Sequence, residues 1–246
     1  MAGQGNGQAP GTPATDVAGA TRPPGEARPA PLRLAVLVSG RGSNLQAILD
    51  ASARGALDAQ VVGVFSDRTD APALQRARDA GVAAQALSPR RFASRAEFDA
   101  ALFAAVDATR PDLVVCAGYM RLIGAAAIAP RSGRIINIHP SLLPAFKGLH
   151  THRQALQAGV AEHGASVHFV SADLDGGAVI SQVRVPVLPG DDEAALSARV
   201  LAREHPLLLA TLELFTRGDV MLREDGVHFG DGRAAPLQLS SNNRFA

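Results

Sequence analysis

Asn137-Ile138-His139-Pro140-Ser141-Leu142-Leu143-Pro144 sets an amide and an imidazole two residues apart at the end of a short apolar run. Residues i and i+2 of a strand share a face, so Asn137 and His139 stand side by side where Pro140 and Pro144 prevent regular structure from continuing. An amide beside an imidazole at a strand's exit is how a catalytic pair is presented. A lone Asn-x-His is more often a hydrogen-bonded strand end, so the rest of the chain must decide. Gly40-Arg41-Gly42-Ser43-Asn44 lies between an apolar run and a helical pattern, and its backbone N–H groups at a helix start form an anion cradle. It is neither a dinucleotide fingerprint, because Leu45 stands at the third glycine position, nor a Walker A loop. A single phosphate suits it best. The alternative is a tight turn with Ser43 or Asn44 as N-cap and no ligand.

A third cluster spans residues 164–170, which alternate like a strand with Ser166, His168 and Val170 on one face. It continues into Asp173-Leu174-Asp175-Gly176-Gly177. The two glycines there are expected to supply positive φ in a turn that leaves Asp175 at a strand boundary, or simply solvated in a hairpin. Of seven histidines, His150-x-His152 is the best metal candidate, but no cysteine or well-spaced carboxylate completes a zinc site. No metal is expected.

The elements that must position these residues alternate. Strands are predicted near residues 34–38, 61–65, 113–117 and 134–138, and helices from about Leu45, over 71–80 closed by Gly81, over 94–108 opened by the capping box Ser94-x-x-Glu97, and up to about Pro130. Such alternation makes an α/β fold, a mostly parallel sheet with helices on both faces. These sheets bind ligands at the carboxyl ends of their strands. That is where Asn137 and His139 fall.

The ends differ in composition. Residues 1–31 are rich in Gly, Ala, Pro and Thr without apolar periodicity and are expected to be a disordered extension. They contain no apolar core of a secretory signal, and Asp16 and Glu26 argue against a transit peptide. Residues 32–224 would form the catalytic domain and 225–246 a short hairpin followed by fraying. With 24 basic and 23 acidic residues and 47% hydrophobic content, the chain has one sizeable core and no field for nucleic acid or anionic membrane. No run reaches the ~18 apolar residues of a membrane span. A single cysteine, Cys116, rules out a disulfide framework, fits a cytoplasmic setting, and is most simply a small buried hydrophobe.

From about Leu34 to Val220 the chain resembles the phosphoribosylglycinamide formyltransferases, folate-dependent enzymes of purine biosynthesis. Four motifs in order carry the resemblance: Val38 to Leu45, Asn137 to Pro144, Gly148-Leu149-His150-Thr151-His152, and Asp173 to Gly177. It implies a Rossmann-like formyltransferase fold and transfer of the formyl group of 10-formyltetrahydrofolate, a co-substrate, to the amine of glycinamide ribonucleotide. Asn137, His139 and Asp175 match the catalytic trio. Gly42, Ser43 and Asn44 match the phosphate loop, and Glu204 matches a residue near the ribonucleotide. Met120, Arg121, Leu122 and Ile123 match the pterin segment; Arg95 and Asn137 match further folate contacts. The partners implied are these small molecules, for a monomer or homodimer. Arg41 and Ala145-Phe146-Lys147 depart from the pattern, and the N-terminal extension lies outside it. A formyltetrahydrofolate deformylase would carry a regulatory domain before this core, a methionyl-tRNA formyltransferase an RNA-binding domain after it, and a non-catalytic nucleotide-binding module would lack one of the trio. None of these matches the sequence as well.

Overall fold

The computed structural model of the chain describes residues 30–245; the extension expected over 1–31 lies, but for its last two residues, outside the described residues. The chain runs β1 (Leu32–Val38), α1 (Ser43–Ala53), β2 (Ala59–Ser66), α2 (Pro72–Asp79), β3 (Ala84–Ala86), α3 (Arg95–Ala108), β4 (Leu113–Cys116), α4 (Ala125–Ile128) and β5 (Ile135–His139). It continues through α5 (Thr151–Gln157), β6 (Glu162–Phe169), β7 (Val179–Pro186), α6 (Glu193–Arg217), β8 (Val220–Arg223), β9 (Gly226–Phe229) and β10 (Leu237–Gln238). Eight strands form one sheet in the order β10-β7-β6-β5-β4-β1-β2-β3, while β8 and β9 make a separate hairpin.

From β3 to β5 all neighbours are parallel; β6 runs antiparallel to both β5 and β7. The mostly parallel, helix-covered sheet therefore agrees with the alternation of the sequence. β1 shows why its run is almost uniformly apolar. Leu34, Val36 and Val38 enter the core beneath α1, α2 and α6, whereas Ala35 and Leu37 enter the opposite core with Phe98, Leu102 and Phe103 of α3. A strand buried on both faces needs an apolar residue at every position.

Local chemistry sets the helix boundaries. The hydroxyl of Ser94 accepts from the N–H of Glu97, and the Glu97 carboxylate accepts from the N–H of Ala93, so α3 opens at its capping box. The first helix starts two residues before the expected Leu45. Its N-cap is Gly42 in the left-handed region with φ 74°, and no side chain caps it. Neither Ser43 nor Asn44 is the cap.

The C-terminal expectation also needs correction. The boundary at 224/225 falls inside the β8–β9 turn, and the segment expected to fray adds β10 to the main sheet in parallel with β7. Leu237 and Leu239 are buried there, and Arg203 of α6 donates to Ser240 O and Asn243 Oδ1. Leu237 and Leu239 belong to the core.

Candidate active site

Strands β1, β4 and β5 are adjacent and parallel, so their exits share one edge of the sheet. A cavity of about 590 Å³ opens there, lined by segments 118–123, 137–140, 148–152 and 170–175. Asn137 and His139 stand on the same face of β5. The register sets them opposite His168 and Ser166 of β6, and directly opposed residues of an antiparallel pair share a face. Asn137 Nδ2 is accordingly 3.1 Å from His168 Nε2.

His139 is nearly buried, and both of its ring nitrogens face oxygens. Nε2 is 3.1 Å from the carbonyl of Phe146, and Nδ1 is 3.5 Å from Asp175 Oδ2. The other oxygen, Oδ1, lies 3.7 Å from His168 Nε2. Asp175 Oδ2 also accepts from the N–H of Gly148 at 2.8 Å. Asp175, 36 positions from His139 in sequence, thus sits between two imidazoles with its side chain only 10% exposed. It is not a solvated hairpin carboxylate.

The glycines beside it act through space and not through φ. The positive φ belongs to Asp175 itself, at 45°. A Cβ on Gly177 would lie 1.8 Å from the carbonyl oxygen of Phe169, and one on Gly176 2.7 Å from the Cβ of Asp173. Only glycine lets the loop close down so far.

Beside this centre burial favours the neutral form of several side chains. Burial holds the His168 imidazole below its ordinary range, against the pull of the Phe169 carbonyl and Asp175. Burial and the neighbouring His152 hold His163 at about 4, and its Nε2 lies 3.2 Å from His152 Nδ1. His152 therefore faces His163, while His150 is exposed, and among the described residues no three His, Cys, Asp or Glu side chains group to hold a metal ion. Cys116 lines the cavity with its thiol pushed up to about 12 by burial, which leaves it a poor nucleophile.

Met120, Arg121, Leu122 and Ile123 all line the cavity. Met120 and Leu122 are exposed at its mouth, with Leu149 and Leu174 also exposed there, and the Arg121 guanidinium lies 5.2 Å over the Phe98 ring. Such an open apolar rim fits a flat aromatic ligand. Arg95 is exposed in the first turn of α3 and does not line the cavity.

Gly42, Ser43, Asn44 and Glu204 form a second cluster. Asn44 Nδ2 donates to Glu204 Oε2 at 2.9 Å, both residues are buried, and Asn44 Oδ1 has no partner. Burial raises the Glu204 carboxyl above the usual range, against the hydrogen bond from Asn44. None of the four lines the larger cavity. Ser43 lines a hollow of about 340 Å³ between α1, α2 and α6, with Gln46, Arg76 and His205 among its walls. One intervening strand, β4, separates the exits of β1 and β5, so the loop after β1 and the pair on β5 open on the same edge of the sheet. Ser39 links the regions: its hydroxyl accepts from the N–H of Met120 and donates to Asp67.

The sequence reading passed over His168, Arg76 and His205 as site residues. His168 carried a usable signal, since it stood on the predicted face of its strand; its pairing with Asn137 across the sheet did not.

A family model described as formyl transferase matches residues 32–212. The chain is 46% identical over 207 residues to phosphoribosylglycinamide formyltransferase of Escherichia coli (strain K12), covering 84% of this chain and 97% of that one. Among solved structures it is similar to glycinamide ribonucleotide transformylase 1 from Symbiobacterium toebii, with TM-score 0.80, 46% identity, and coverage of 83% of this chain and 98% of that one. The phosphoribosylglycinamide formyltransferase from Coxiella burnetii is similar too, with TM-score 0.78, 41% identity, and coverage of 81% and 94%. A centre of amide, imidazole and carboxylate at the carboxyl edge of this sheet, together with these likenesses over most of its length, identifies the chain as a member of the formyl transferase family.

Proposed function

We propose that this enzyme transfers the formyl group of 10-formyltetrahydrofolate to the amine of glycinamide ribonucleotide, a step of purine biosynthesis in the cytoplasm. The convergence of Asn137, His139 and Asp175 at the head of an apolar-mouthed cavity carries the proposal. The folate would enter along Met120 to Ile123, with Arg95 reaching only its outer end. The ribonucleotide phosphate would meet the uncapped N–H groups at Gly42, Ser43 and Asn44, with Glu204 near its ribose. The strand β4 between β1 and β5 would separate the phosphate end from Asn137, with ribose and glycinamide spanning the gap.

The amine nitrogen attacks the formyl carbon, and the carbonyl oxygen takes up negative charge. The Asn137 amide donates to that oxyanion, contributing ~10²–10³ in rate, and a protonated His139, whose ring nitrogens already face the Phe146 carbonyl and Asp175, would favour it by its charge. The bond from the formyl carbon to the folate nitrogen then breaks, that nitrogen gains a proton, and the amine loses one. Asp175 faces His139 at a distance slightly long for a direct hydrogen bond, so it can both favour the imidazolium and hold a water that carries the amine's proton. No covalent intermediate or metal enters this scheme.

Purified protein mixed with 10-formyltetrahydrofolate, and followed by folate absorbance, tests the proposal. Turnover should require glycinamide ribonucleotide; turnover in its absence would mean that water is the acceptor and the enzyme a deformylase. Asn137→Ala and Asp175→Asn should each lower kcat about 10²-fold or more. Wild-type kcat in either would remove the trio from the mechanism.

A further inference from the structure

We propose that His168 is a positioning residue that fixes which way the Asn137 amide faces. The inference rests on the formyl-transfer reading only in supposing that Asn137 meets the reacting carbonyl. His168 Nδ1 lies 2.9 Å from the carbonyl oxygen of Phe169, which can only accept, so Nδ1 carries the proton. The other nitrogen, Nε2, faces Asn137 Nδ2 at 3.1 Å. In a neutral ring Nε2 then offers a lone pair, and Asn137 must present its N–H rather than its carbonyl oxygen. Turning the amide over would set oxygen lone pairs against a nitrogen lone pair inside a buried site, at the cost of an unmade hydrogen bond. Held this way, Asn137 has its second N–H left for an oxyanion.

The charges around the ring are consistent with the neutral form. Asp175, 3.7 Å from Nε2, favours a cation, but burial, His139 and Lys147 all oppose it, and burial is the largest influence. A neutral His168 also leaves the single negative charge of Asp175 to His139. Two imidazoles flank one carboxylate, and only one of them is free to become the cation. The cross-strand register of Asn137 and His168 holds this arrangement in the sheet itself.

Two measurements test it. In a kinetic cycle, His168→Leu should lower kcat about 10²-fold while leaving KM for both substrates within about threefold. His168→Gln, whose side-chain oxygen can accept from Asn137, should stay within about tenfold of wild type. Adding His168→Leu to Asn137→Ala should cost nothing further, because the residue acts through the amide; losses that multiply would overturn the assignment. Independently of activity, long-range ¹⁵N correlation spectra of the wild-type protein at neutral pH, with His168→Gln for assignment, should show a neutral ring protonated at Nδ1. A proton on Nε2, or a doubly protonated ring at neutral pH, refutes the proposal even if the Leu variant fails to fold. If water proves to be the acceptor, the same cycle runs on hydrolysis.

Discussion

The two ends of the site are built by different means. At the proposed acceptor end, Gly42, Ser43 and Asn44 are contiguous and would act through backbone N–H groups at the start of α1. At the transfer end, Asn137 and His139 come from β5, His168 from β6, and Asp175 from the loop after it. One end is local and depends on conformation; the other is assembled across the sheet and depends on packing. Glycine shows the difference. Gly42 has φ 74° and a built Cβ only 2.6 Å from Ala73 Cβ, so both conformation and space demand it. Gly176 and Gly177 adopt no positive φ, and space alone excludes a side chain there.

The contrast breaks most visibly at Gly177. Replacing it by alanine forces apart the loop and the end of β6, because the Phe169 carbonyl would be 1.8 Å away. Overpacking of this kind costs about 1–3 kcal/mol, and a shift of Asp175 by about 1 Å is expected to lower kcat about 10²-fold. Thermal unfolding and steady-state kinetics on Gly177→Ala measure both. An unchanged kcat would show that Asp175 need not be held so closely.

At the acceptor end the expected effect is smaller and falls on a different constant. Gly42→Ala meets about 1–2 kcal/mol of left-handed strain together with the contact at Ala73. It should raise KM for the ribonucleotide about tenfold while KM for the folate stays unchanged. Equal rises in both constants would mean that the loop and the folate cavity are one mechanical unit, joined through Ser39 and Met120.

The same division explains what the sequence could reveal. Asn137 and His139 share a face because strand periodicity is two, and the phosphate loop is a contiguous string between a strand and a helix. Both patterns are local and so were legible, as was the capping box at Ser94. Opposition of His168 to Asn137 needs the antiparallel register of β5 and β6, which no local pattern encodes. The φ of Asp175 was hidden because two neighbouring glycines offered a more obvious place for it. Joining of β10 to the sheet rests on two paired residues and a few buried leucines, too short a run for periodicity to register.

The buried histidines and the buried Glu204 should respond oppositely to acid. Near the transfer end His163 titrates at about 4, well below the ordinary 6.5, because it is buried beside His152. Below pH 6.5 the unfolded chain takes up a proton that the folded ring refuses, so this contribution is whole above 6.5 and is lost as pH falls toward 4. Burial shifts His152 and His168 in the same direction, and His205 at the acceptor end as well. Glu204 has the opposite sign. Its raised carboxyl retains a proton that the unfolded chain has lost, so its contribution is whole below the ordinary 4.5 and is lost as pH rises through the folded value. Acidification from pH 7.5 to 5 therefore weakens the fold through the histidines and partly restores it through Glu204. In Glu204→Gln the Asn44 amide keeps an acceptor, but the restoring contribution is gone. The variant should lose more stability than wild type across that interval, read as a larger fall in Tm. Parallel Tm curves for the two proteins would mean that Glu204 is ionised throughout, and the buried Asn44–Glu204 pair would then carry a full charge into the ribonucleotide site.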